Sequence, residues 1–429
     1  MGKITTKRIF KGDKIVWAVF FILCALSLIE VFSASSRQTY ELGNYWKPIT
    51  KHAIFLFAGV GVVWFIHNLR IAWIKSFSKP IYIAGVLLLI YALFGGDRLN
   101  DISRWVTLLG VRFQPMEIAK MGLVMMTALI LEKAQSIEGT HLTLKDAMSL
   151  IYLRPQNEND TRDYTMITIL AVAFLPCLLI LLENLSTVMI ICITLLIMMF
   201  IGCVKGKHLI ILISIAVVAA GLGLSAIVAT PESAKDGNAF QRKVLTWKHR
   251  LVNDNEGGKD LTPKEYYKKA IKNGDEQKMY SKLAIGTSSL FGKGPGKSVQ
   301  RDFIPHAQSD FIYSIIIEEL GLAGGIVVLL LYLTLLFRSG RIARKCEDPY
   351  SAFLVMGVTL IITMQALMHM FISVSNFVTG QPLPLVSQGG TSILINCVYI
   401  GIILCVSREV KRLEKEKEEP EVEQNNIEF

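Results

Sequence analysis

Residues 185–204 read LSTVMIICITLLIMMFIGCV, twenty positions without a charged side chain. A helix needs roughly 20 apolar residues to cross a bilayer core about 30 Å thick. In lipid every backbone amide needs an internal partner, and a run this long and uniform is a helix rather than a barrel strand. Outward from it lie nine more such runs, at about 15–35, 50–67, 79–96, 115–132, 165–182, 208–229, 311–337, 351–374 and 386–406. The 429 residues are 52% hydrophobic and 19% charged, with the charges clustered; a soluble chain usually carries about 25% charged residues. That excludes a disordered chain, a collagen-like chain and an ordinary cytosolic enzyme. The expected fold class is all-α, a polytopic membrane protein with ten transmembrane helices.

Orientation follows from Lys and Arg in the loops. The N-terminus, alternate loops and the C-terminus carry 23 of them, against six (Arg37, Lys47, Lys51, Arg98, Arg104 and Arg112) in the short loops of the other side. Both termini are therefore expected in the cytoplasm, which requires an even number of spans. Residues 230–310, between spans seven and eight, hold 15 Lys and Arg yet fall outside. Loops longer than about 60 residues translocate largely regardless of charge, so this is the one large extracytoplasmic loop. The expected organisation is a cytoplasmic N-terminus at 1–14, a membrane domain at 15–407 and a charged cytoplasmic tail at 408–429. The first span starts basic, but its apolar run is too long for a signal peptide and reads as an uncleaved anchor.

The net charge of +10 needs no nucleic acid to explain it, because cytoplasmic loops of this sign are attracted to anionic membrane lipid. The basic exterior loop suits either an anionic lipid-linked substrate or a plain solvated surface. All seven Cys fall in or beside spans or in a cytoplasmic loop, so no exterior disulfide is expected and no zinc spacing is present.

Ionisable residues inside spans cost roughly 2.5–3.5 kcal/mol on insertion scales and mark function by default. Glu117 and Lys120, in QPMEIAK at 114–120, are at i and i+3 on one helix face and able to pair. They read either as a structural ion pair or as a substrate-facing one. Glu318 and Glu319 point about 100° apart on a helix, given 3.6 residues per turn. They are not expected to share one cavity, and one of them is expected to bind a partner helix or a loop amide. Asp310, at the lip of the eighth span, reads locally as a helix N-cap.

Two glycine-rich stretches remain. GKGPGKS at 292–298 has Phe291 where a Walker motif needs Gly, and it lies on the side where ATP is scarce. It reads as a turn able to touch a phosphate or to carry the chain along the membrane. GQPLPLVSQGGTS at 380–392 is uncharged and irregular. Such backbone is tolerated at membrane depth only when it is buried in protein or lines a cavity.

Together these stretches resemble the SEDS family (shape, elongation, division and sporulation), the RodA/FtsW-type membrane glycosyltransferases. Five motifs occur in family order over nearly the whole chain: Ser103-Arg104-Trp105, QPMEIAK, GKGPGKSVQ at 292–300, Ser309-Asp310-Phe311-Ile312 with Glu318-Glu319-Leu320-Gly321, and PLPLVSQGGTS at 382–392. The resemblance implies a peptidoglycan glycosyltransferase of the cytoplasmic (inner) membrane. It would polymerise lipid II, the undecaprenyl-diphosphate-linked disaccharide pentapeptide, at the outer face. It would work with a class B penicillin-binding protein transpeptidase and other cell-division proteins. The charged tail and the length resemble the division branch more than the elongation (RodA-like) branch.

The resemblance also makes Asp310 the essential acid, which reverses the local reading, and places Glu117 and Lys120 in a central cavity. Asp310 is then the base that takes a proton from the acceptor 4-hydroxyl. Lys120, Arg104, Arg242 and Lys297 are candidates for the leaving diphosphate, in that order. Ser387, Gly389 and Gly390 join the substrate-binding set, while Glu318, Glu319, Pro382 and Pro384 have structural or cavity roles. A divalent cation (Mg or Mn) would suit the diphosphate, although no metal-ligand cluster is legible. Two departures stand out: Asn184 occupies the place of a common family acid, and the last motif reads SQGGTS rather than SYGGSS. The rival functions are a lipid II flippase or other transporter, and a scaffold that only recruits a transpeptidase.

Overall fold

The computed structural model describes residues 10–36, 43, 46–95, 97–99, 102–108, 111–136, 165–204, 206–230, 244–245, 248, 276–375 and 380–425. Eleven helices account for most of them: α1 Lys14–Ala34, α2 Trp46–Asn68, α3 Ile71–Gly95, α4 Pro115–Ser136, α5 Thr165–Glu183, α6 Leu185–Ile201, α7 Gly206–Ala229, α8 Glu276–Gly286, α9 Ile312–Arg344, α10 Pro349–Val374 and α11 Gly390–Asn425. Seven of these, α1, α2, α3, α5, α9, α10 and α11, are long and apolar enough to cross a membrane. The other three runs counted from sequence are also helical. α4 carries four ionisable residues within its 22, α6 is 17 residues long, and α7 is 24.

Local chemistry explains where the helices start. Asp13 caps α1, its Oδ1 accepting from the amides of Ile15 (2.9 Å) and Val16 (3.2 Å). Asp348 caps α10 by accepting from Ser351 N (3.2 Å), with Pro349 at the first helical position, where its missing N–H is harmless. Asn184 breaks α5 from α6 and caps the latter, accepting from Ser186 N at 3.0 Å. The third run starts earlier than its apolar stretch suggests, at Ile71 rather than 79. Pro80 lies inside α3, as membrane helices tolerate. The last helix starts later, at Gly390 rather than 386, because residues 383–387 form a turn closed on the Leu383 carbonyl. α11 then continues unbroken through residue 408 into the charged tail.

α10 and α11 form the centre, with 72% and 78% of their apolar stretches buried, against 22% for α2 and α3. The outer helices turn Phe57, Trp64, Trp73, Phe94, Ile210 and Leu222 outward, as a lipid-facing surface requires. α4 is pressed into α3 where a Cβ on Gly85 or Gly122 would strike the facing backbone, the small-residue packing that brings membrane helices close.

Three short antiparallel strands, β1 Asp97–Leu99, β2 Ile102–Leu108 and β3 Val111–Phe113, in the order β1-β2-β3, join α3 to α4. The sequence reading treated this segment as loop. Its strands are too short and too broken by turns to show a period of two.

α1 and α9 are tied at both ends. At one end Arg338 Nε donates to Asp13 Oδ2 at 2.7 Å. At the other, Ser33 Oγ donates to Glu319 Oε1, and Arg301 Nη1 to Ser33 Oγ at 2.5 Å. This second end also gathers the starts of α4, α6, α9 and α11, and every motif residue discussed below.

Candidate active site

Between α8 and α9 the chain crosses the start of α9, and the crossing is clamped. α9 is broken at Gly321 (φ 78°, ψ −179°), a conformation essentially confined to glycine. Gly292 (φ 69°) faces it so closely that a Cβ on either would collide with the other's backbone. Around this point the GKGPGKS turn wraps two buried carboxylates. Glu318 accepts from Lys293 Nζ (2.6 Å), Ser298 Oγ (2.5 Å), Val299 N (3.1 Å) and Gln300 N (3.3 Å). Glu319 accepts from Gly296 N (2.7 Å) and Ser298 N (3.2 Å), with Arg301 Nη1 3.7 Å away.

That one of the pair binds a partner helix or a loop amide is met by Glu319, which takes loop amides and Ser33 Oγ of α1, and Glu318 takes loop amides as well. Both bind the same turn, because residues 293–300 pass around two sides of the helix. The amides that looked able to hold a phosphate are given to these carboxylates. Lys297 is exposed.

The second half of the site is built from 306–310 and the 380–390 stretch. His306, at φ 58°, accepts at its carbonyl from Ser309 N (3.0 Å) and Asp310 N (3.1 Å). The N-cap position of α9 belongs to Phe311, not Asp310. Asp310 is partly exposed at this end of the bundle. Ser387 Oγ donates to Ser309 O at 2.6 Å, and Gln388 N to Gln308 O at 2.9 Å, so the two motifs far apart in sequence are laced together beside Asp310.

The 380–390 stretch hangs from surrounding helices by its carbonyls. Gln365 Nε2 donates to Pro382 O (3.1 Å) and Tyr332 OH to Pro384 O (2.5 Å). Ser27 Oγ donates to Val386 O (2.8 Å), and His369 Nδ1 pairs with Gln381 O (2.6 Å). Gln381 Nε2 donates to Thr187 Oγ1 at 2.5 Å, which brings in the start of α6 beside Asn184. Gly389 and Gly390 follow, and a Cβ on Gly390 would press on the Phe55 ring.

From this stretch the network descends into the bundle. Gln365 Oε1 accepts from Lys120 Nζ at 3.0 Å, and Lys120 Nζ also donates to Glu117 Oε1 at 2.8 Å. Both members of the pair are only 1% exposed, and Glu117 Oε2 has no partner among the described residues. Two of the three ammonium donors of Lys120 are engaged. Arg104 lies on β2, where only its backbone is described, and Arg242 lies outside the described residues.

Ser27, His52, Tyr332, Gln365 and His369 were not singled out from sequence. Their signal was present: each is a polar or hydroxyl side chain in or beside an apolar run, the placement that membrane burial makes costly unless it is paired. Among the described residues no group of three or more His, Cys, Asp or Glu is placed to hold a metal ion.

The class is thus a multi-pass helical membrane protein with a hydrogen-bonded polar site at one end of its bundle. The cell cycle protein family model, covering FtsW, RodA and SpoVE, matches residues 13–412, and the chain belongs to that family. A probable peptidoglycan glycosyltransferase FtsW of Coxiella burnetii is 29% identical over 94% of this chain and 99% of its own length. Stage V sporulation protein E of Bacillus subtilis is 28% identical over the same shares. Among solved structures, a chain from a peptidoglycan synthase complex described as coordinating polymerization and crosslinking matches with a TM-score of 0.64. It is 20% identical over 93% of this chain and 98% of that one. RodA of Thermus thermophilus gives 0.57 at 19% identity, covering 93% and 97%. At these identities the structural matches speak for the fold alone.

Proposed function

We propose that this protein is a peptidoglycan glycosyltransferase that polymerises lipid II during septal wall synthesis. The observation that carries the proposal is the continuous lacing of Asp310's segment, through the 380–390 stretch and Gln365, to the buried Lys120–Glu117 pair. The names of the full-length relatives support the same activity.

In this reading the motif end of the bundle faces the exterior of the cytoplasmic membrane, ten helices cross it, and both termini are cytoplasmic. The reaction joins the 4-hydroxyl of one lipid-linked sugar to the anomeric carbon of another, and the prenyl diphosphate departs. Asp310 accepts the hydroxyl proton; a positioned base is worth about 10²–10⁴-fold. Lys120 has one N–H left for the leaving group or for the 380–390 stretch. Arg104, Arg242 and Lys297 are the further candidates for the diphosphate. Family membership suggests a class B penicillin-binding protein as partner, in keeping with a relative described as part of a complex that coordinates polymerization and crosslinking.

The test is lipid II in detergent, where no two sides exist. The expected result is glycan polymer from the parent protein and none from folded Asp310→Asn. Transbilayer movement in vesicles without polymer in detergent would identify a transporter instead.

A further inference from the structure

Two histidines hold the 380–390 stretch at opposite ends, and the geometry fixes which ring nitrogen of each carries the proton. Ser27 Oγ lies 2.8 Å from Val386 O and 2.8 Å from His52 Nε2. A carbonyl only accepts, so the single hydroxyl hydrogen of Ser27 goes to Val386. The hydrogen between Ser27 and His52 must then come from Nε2. On α10, His369 Nδ1 lies 2.6 Å from Gln381 O, and by the same rule Nδ1 is the donor. Each ring is almost wholly enclosed, at 2% and 1% exposed. The opposite nitrogens, His52 Nδ1 and His369 Nε2, have no partner among the described residues. A second proton on either ring would be a buried, unpaired donor, so both rings are neutral, in opposite tautomers.

We infer that His52 and His369 are a pair of positioning residues: His52, through Ser27, sets the Val386 end of the stretch, and His369 sets the Gln381 end. Just beyond the Val386 anchor stand Ser387 and Gln388, which lace onto Ser309 and Gln308 beside Asp310. Neither ring touches Asp310; each acts through the backbone it holds. The inference rests on the proposed glycosyl transfer. Displacing a reacting group by about 1 Å can cost about 10²-fold in rate, so the effect belongs in kcat.

The opposite tautomers give a contrast that a merely space-filling role would not produce. An Asn amide nitrogen overlays Nδ1, and a Gln amide nitrogen overlays Nε2. In full-length protein in detergent with lipid II, His52→Gln and His369→Asn should stay within about three-fold of the parent kcat. His52→Asn and His369→Gln should fall by about 10²-fold at unchanged KM. Equal losses within each pair, or losses in KM instead of kcat, would overturn the inference. Should a histidine variant not fold, Ser27→Ala carries the same test: a parent rate from it removes the His52 arm. ¹⁵N-histidine spectra of the unmutated protein must show neutral Nε2–H at position 52 and neutral Nδ1–H at 369, and any other pattern also overturns it. Asp310→Asn, run alongside, reports on the glycosyl-transfer reading separately, since polymer from that variant would remove the reading without touching the tautomers.

Discussion

Two groups of buried carboxylates lie at the same end of this protein, and they are treated in opposite ways. Glu318 and Glu319 are saturated: four loop amides, two serine hydroxyls and two basic side chains surround them. Glu117 has one partner, Lys120, and one oxygen with none among the described residues. A carboxylate that accepts this many donors holds a fold together, because most of its lone pairs are used and removing a donor leaves a costly vacancy. A buried pair with unused capacity is poorly optimised for stability and is better suited to meeting something that comes and goes. Both pairs stood out in the sequence by the same rule, an acid inside a span, and only the count of their partners separates them.

The largest effect expected is that of Asp310→Asn, with polymerisation lost by about 10²–10⁴-fold and the melting temperature of the purified protein unchanged. Unfolding of this variant would move Asp310 to the saturated class. Lys120→Met comes next. Stranding Glu117 without its counter-ion should cost about 3–5 kcal/mol, measured by thermal or chemical unfolding in detergent. The double variant Glu117→Gln with Lys120→Met should regain most of that stability and still fail to make glycan. Recovery of both would make the pair purely structural.

On the saturated side, Glu319→Gln keeps the shape and removes the charge. It should cost about 1.5–3 kcal/mol, the range of hydrogen bonds to a charged group, while the kcat of the folded fraction stays at the parent value. A selective loss of kcat would erase the distinction between the two groups. The smallest effect is Lys297→Ala. Stability should be untouched, and KM for lipid II should rise about two- to five-fold if this exposed lysine meets a diphosphate.

Much of this was legible in the sequence because lipid imposes simple rules. Long apolar runs marked the helices, while the caps Asp13, Asn184 and Asp348 that fix three of their starts emerged only in the structure. The Glu117–Lys120 contact followed from three-residue spacing. What was not legible depended on how loops fold back. The angle between Glu318 and Glu319 was read correctly along the helix. That one of them binds a loop amide was also expected; that both bind the same turn was not, because a turn with three glycines can bend around both sides. The strands around Arg104 were too short to carry a period. The ties from Ser27, Tyr332, Gln365 and His369 run to backbone carbonyls, which no side-chain pattern announces.

The ties joining α1 and α9 at both ends have a mechanical consequence. Shifting one helix past the other by a single turn, about 5.4 Å, would break the Asp13–Arg338 bridge and the Ser33–Glu319–Arg301 knot together. The two therefore behave as one strut. If the protein must part its walls to admit a molecule with a long greasy anchor, this strut is what the moving wall swings against.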